Sequence, residues 1–169
     1  MRHLLACVLG LALMLSLGWQ VSADTQMTVT VTNYTHDAYK AMPIDKDHVV
    51  LTLEQFGVQL TENENSPFNN LSSHGALIVY AGKGERHNFH GYYTYVDKDG
   101  DNIVWEIWYF PSGTPDRGAG KIIGATGKYT GMEGTAENIV IQHLKSWPAG
   151  SGRSIAKMVW KLTLKNPLG

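Results

Sequence analysis

A chain of 169 residues, 43% hydrophobic and 17% charged, with 18 glycines and a formal charge of -1, has the make-up of an ordinary globular domain and excludes a disordered or fibrous one. It is long enough to bury a core without a metal or disulfide staple, and one domain is expected. The near-neutral balance excludes nucleic acid and an anionic membrane face as the main partner, because both reward a concentrated basic surface.

The elements begin with an export signal. Arg2 precedes an apolar run from Leu4 to Gly18, and Val21-Ser22-Ala23 offers the small side chains that signal peptidase needs, so residues 1–23 read as a cleaved secretory leader and 24–169 as a single domain. The apolar run falls short of the ~20 residues that cross a bilayer, which disfavours a membrane anchor. Leu4-Leu5-Ala6-Cys7 imitates a lipoprotein box, but its apolar run follows the cysteine instead of preceding it. The expected location is periplasmic or secreted, with no membrane attachment after cleavage. The mature chain then has no cysteine, which excludes disulfides, thiol catalysis and cysteine-based metal sites.

From Gln26 to Thr35, Met27, Val29 and Val31 alternate with Thr28, Thr30 and Thr32, the period of two that predicts a strand. Val49 to Leu60 also fits helical spacing, but Val-Val-Leu-Thr-Leu is rich in strand formers, so a strand with a break near Gly57 is expected. Thr61 to Ser73 is polar and has no burying period, and reads as a long loop. Further strands are predicted at 75–81, 86–96, 102–110, 121–125, 135–144 and 155–165, separated by Gly-, Asp- and Pro-rich turns. Eight short antiparallel strands and no convincing amphipathic helix predict an all-β, eight-stranded closed barrel, with a two-sheet sandwich as the alternative.

The candidate chemistry is sparse. Gly124, Gly127, Gly131 and Gly134 imitate a phosphate loop, but no helix follows, and turn glycines explain them better. Asp97, Asp99 and Asp101 alternate as in a calcium loop, yet Gly100 stands at the wrong place and Trp108 takes the position of the bidentate Glu, so a hairpin turn is favoured. His87 and His90, three apart on one strand, point to opposite faces. No metal and no cofactor is expected, and no Gly-x-Ser-x-Gly elbow is present. On the fifth strand Ile103, Trp105 and Ile107 share one face, while Val104, Glu106, Trp108 and Phe110 share the other. If the second face lines the barrel, desolvation would raise the pKa of Glu106 and fit it for general acid or base work; a Glu on the outer wall, or one paired with Arg86 or Lys121, is the plain alternative. Tyr92, Tyr93, Tyr95, Trp105, Trp108, Tyr109, Trp147 and Trp160 line a pocket or fill a core. Tyr93, Tyr95, Trp108 and Trp160 are the candidate ligand contacts.

Three stretches carry a resemblance: Asp47-His48-Val49-Val50-Leu51-Thr52 leading to Pro67-Phe68-Asn69-Asn70; Gly91-Tyr92-Tyr93-Thr94-Tyr95-Val96 with its Asp-Lys-Asp-Gly-Asp turn; and Gly124-Ala125-Thr126-Gly127-Lys128-Tyr129-Thr130-Gly131-Met132-Glu133-Gly134. Together they resemble exported bacterial proteins of the allene oxide cyclase barrel-like group, related in fold to plant allene oxide cyclases and dirigent proteins. The resemblance implies a small antiparallel barrel with an apolar cavity, which in the plant members binds unsaturated or phenolic molecules. None of the plant enzymes' catalytic residues can be carried over. Three functional readings follow: a barrel that binds a small apolar or aromatic molecule, an isomerase or cyclase using the same cavity, or a solid barrel with an interaction role. Self-association into a homo-oligomer is open.

Overall fold

The computed structural model of the chain describes residues 24–83, 88–110, 116–144 and 151–165. The expected leader at 1–23, Arg86, His87, Trp147 and the side chains of Tyr109 and Phe110 lie outside the described residues. The strands are β1 (Thr25–Pro43), β2 (His48–Thr61), β3 (Leu71–Gly82), β4 (Asn88–Val96), β5 (Asn102–Phe110), β6 (Asp116–Ala125), β7 (Glu133–Leu144) and β8 (Ser151–Leu164), with one short 3₁₀ turn at Gly127–Tyr129. They pair antiparallel in chain order and close into a barrel, β8 returning to β1 from Thr25↔Leu164 to Ala38↔Ser151. Closure leaves the ring no free edge.

Alternation assigns the two faces. Along β3, Leu71, Ser73, Gly75, Leu77, Val79 and Ala81 are inward and buried, while Ser72, His74, Ala76, Ile78 and Tyr80 face out. The same phase places Val31, Tyr93, Tyr95, Ile103, Trp105, Ile107, Met158, Trp160, Leu162 and Leu164 in one core. Trp160 is its hub, with ring centroids 4.7 Å from Trp105, 5.3 Å from Tyr95 and 5.9 Å from Phe68. Such pairs add about 0.5–1.5 kcal/mol each beyond their burial.

Several sequence expectations change, among them the start of β6, which is Asp116 and not Lys121. The break near Gly57 is absent, and β2 pairs with β1 without interruption from Val49 to Thr61. The glycine serves close approach: a Cβ there would lie 2.0 Å from the Tyr34 carbonyl oxygen. Strand β1 runs on past Thr35 to Pro43, carried by its hairpin with β2. The expected loop from Thr61 to Ser73 is shorter, because β3 starts at Leu71, and it has a burying role after all. Its Phe68 is wholly buried and seals one end of the barrel, stacked on Tyr129 at 5.9 Å. Gln59 Nε2 donates to the Phe68 carbonyl at 3.1 Å and the Tyr129 hydroxyl donates to the Pro67 carbonyl at 2.8 Å, so the plug is tied from both sides. Asn70 completes the loop in the left-handed region, at φ 57°, where Asn is better tolerated than most residues.

At the same end the glycine-rich segment makes a turn and not a phosphate cradle: Gly127 and Gly131 take φ of 54° and 80°. The three aspartates of the β4–β5 turn are committed to protein donors. Asp97 Oδ1 accepts the N–H groups of Asp99 and Asp101, Asp101 Oδ2 accepts the N–H of Lys128, and the Lys128 ammonium bridges Asp97 and Asp99. A lysine thus supplies the positive charge that a calcium loop would draw from its ion. Burial alone would raise the Asp97 pKa, but the Lys128 ammonium and the two backbone N–H groups outweigh it and hold the carboxyl below its ordinary value.

Two measurements check this end of the barrel. Phe68→Ala should cost about 3–5 kcal/mol in urea unfolding, against about 1 kcal/mol for Tyr129→Phe, which keeps the ring and loses the hydroxyl. Because the Asp97 pKa is lowered on folding, its stabilisation is complete above the unfolded value near 4 and is lost as pH falls through the lower folded value. The stability gap between the parent and Asp97→Asn should therefore be constant from pH 7 to 5 and shrink below about pH 4.

Candidate functional site

The barrel's two ends differ in chemistry. Phe68 and Tyr129 close one; the β1–β2 hairpin lies at the other. Towards this second end the inward positions of β1 turn from Val31 to Asn33, Thr35 and Asp37, all buried. Register sets Gln55 of β2 across from Asp37 and Ser154 of β8 across from Thr35.

These side chains form two hydrogen-bonded groups. Asp37 Oδ1 accepts from Gln55 Nε2 at 2.7 Å and from Thr35 Oγ1 at 2.9 Å, with Ser154 Oγ 3.4 Å away. Thr35 and Ser154 share a hydroxyl–hydroxyl bond of 2.6 Å. Deeper in, Ser73 Oγ donates to Asn33 Oδ1 at 2.9 Å, and Asn33 Nδ2 reaches the Tyr95 hydroxyl at 3.5 Å. Asp37 is 6% exposed, and among the described residues no cation pairs with it and no hydrogen bond reaches its Oδ2. A buried carboxylate normally has a charged partner or a specific task. Gly152 lies beside Oδ2, a Cβ there being 3.5 Å away, so small residues leave that oxygen room.

Below these groups the lumen is filled. Tyr93, Tyr95, Trp105 and Trp160, with Asn33, Ile107, Ile139 and Met158, enclose a cavity of only about 20 Å³. That is room for about one water molecule, not for an aromatic ligand. Hollows of about 800 and 550 Å³ lie outside, over β6–β8 with the start of β1 and over β1–β4; both are open wall grooves.

The residues singled out in the sequence divide accordingly. Tyr93, Tyr95 and Trp160 face inward and are buried; Trp108 is half-buried on the outer wall. Glu106 is on the outer wall too, which corrects the conditional placement in the lumen. His90 Nε2 lies 2.9 Å from one of its carboxylate oxygens and Lys121 Nζ 3.0 Å from the other. His90 first and Lys121 second hold its pKa below the ordinary value, the reverse of the shift that general acid work would need. Burial pushes the Tyr95 hydroxyl far above its ordinary pKa, so it remains a neutral donor. Asp37 and its partners were missed because β1 was ended at Thr35; carrying its alternation one step further marks Asp37 as inward.

No family model matches the chain, and no curated protein matches it in sequence. Among solved structures it is similar to the pterocarpan synthase dirigent protein GePTS1, with a TM-score of 0.50 and 14% identity over 88% of this chain and 94% of that one. At that identity the likeness speaks for architecture alone, and the chain has the closed eight-stranded antiparallel barrel fold of the dirigent and allene oxide cyclase type.

Proposed function

We propose that this barrel binds a small, mainly apolar or aromatic molecule bearing a hydroxyl group at its polar end, with Asp37 as the hydrogen-bond acceptor. The observation that carries the reading is the buried Asp37 carboxylate: one oxygen is held by two uncharged donors, Gln55 and Thr35, and the other takes no hydrogen bond among the described residues. A hydroxyl donated to such an oxygen makes a charge-assisted bond, worth about 1.5–3 kcal/mol. The filled lumen limits the ligand to the mouth, with Tyr93 and Tyr95 beneath it rather than around it. The isomerase alternative no longer attaches to Glu106, whose carboxylate is paired with His90 and Lys121 on the outer wall. In its mature form the protein acts outside the cytoplasm, after removal of residues 1–23.

Calorimetric titration with 2-naphthol, a neutral fused-ring phenol, tests the site. Saturable 1:1 binding is expected, weakened about ten-fold or more by Asp37→Asn and changed less than about two-fold by Glu106→Gln. Binding indifferent to Asp37→Asn would refute the assignment. The export reading is checked by mass spectrometry of protein from its native host: a polypeptide starting at Asp24 is expected, and an intact Met1 form in the cytoplasm would overturn it.

A further inference from the structure

The small cavity in the lumen has a one-sided hydrogen-bonding character. Trp105 and Trp160, 1% and 0% exposed, both line it, and the indole N–H of each is buried with no acceptor among the described residues. Tyr95 lines it as well; its hydroxyl accepts from Asn33 Nδ2, which leaves its own proton to donate, and no acceptor for that proton is seen among the described residues. Two rings 4.7 Å apart with buried, unanswered N–H groups are costly in a core, since each was desolvated without a bond to replace the one it made to water. Buried Trp and Tyr usually find a partner for that reason.

We infer that this cavity is a binding subsite for a single acceptor oxygen, held by the indole N–H groups of Trp105 and Trp160 and by the Tyr95 hydroxyl. Its volume of about 20 Å³ admits one oxygen atom with its hydrogens and excludes a ring. The donors are neutral and the walls otherwise apolar, apart from Asn33 and Tyr93, which selects a neutral oxygen over a cation. Two sources share that chemistry: a resident water molecule, or a carbonyl or hydroxyl oxygen reaching down from a molecule in the mouth. The second source rests on the ligand reading given above; the first does not.

Nuclear magnetic resonance of protein carrying ¹⁵N-tryptophan separates them, the two indole signals being assigned with Trp105→Phe and Trp160→Phe. In the free protein both indole protons should show cross-peaks to a long-lived water. If those persist on saturation with 2-naphthol, the subsite belongs to water. If they vanish while both indole signals move, the ligand's oxygen takes the place. Indole protons with no water cross-peak and no response to 2-naphthol would overturn the inference. Failure of 2-naphthol to bind would count against the mouth as a ligand site while leaving the water cross-peaks intact. A crystal structure of the unsubstituted protein provides a route free of variants: an oxygen within about 3.2 Å of both Nε1 atoms is expected, and an empty cavity would refute it.

Discussion

Eight strands make a ring whose inside is only wide enough for its own side chains, and that limit organises the rest of this molecule. Once Trp105, Trp160, Tyr95 and Tyr93 have taken their inward positions, little space is left between them. Whatever specificity the interior has must then be expressed at an end, and among the described residues the inward Asn33, Thr35, Asp37, Gln55 and Ser154 lie towards the end away from Phe68. The other is sealed by Phe68, a single aromatic residue from an otherwise polar loop, anchored by Gln59 and Tyr129.

The polar end obeys a second constraint: a carboxylate this deep needs donors. Gln55 and Thr35 supply them and Ser154 donates to Thr35 from behind, so the orientation of Asp37 is fixed by the register of β8 on β1 and of β1 on β2. A slip of one residue in either pairing would turn the whole set to the outer wall. Fold and site are therefore coupled, and the geometry of the mouth is only as rigid as those two ladders. The contrast with Glu106 is informative. It has the same kind of side chain, but Lys121 and His90 at the surface satisfy both its oxygens and keep it ionised.

Much of the architecture is legible in the residue pattern, because period-two alternation survives wherever one face of a strand is buried and the other wet. Met158, Trp160, Leu162 and Leu164 on β8 show it plainly. The pattern loses its meaning in two situations. Where both faces are apolar, as on β5, Trp105 and Trp108 look alike, and only the neighbouring strands reveal that Trp105 is inside. Where the inward face is polar, as along Asn33, Thr35 and Asp37, hydropathy sees a loop although the alternation continues. The candidate site falls into this second gap, so the strand that carries it was cut short. Phe68 illustrates a third difficulty, since one buried ring among asparagines has no period at all. Length and turn residues place such a loop but do not show what it covers.

The seam between β1 and β8 has a consequence for how the molecule comes into being. Its register joins Thr25 to Leu164, the two ends of the strand order. A chain emerging from the ribosome can build hairpins in succession, yet it cannot complete the ring until the last strand is released. Until then the inner edge of β1, with Val29 and Val31, waits without its partner. Contacts so distant along the chain form slowly, and a barrel joined in this way stays open, with its aromatic interior uncovered, until β8 has docked on β1.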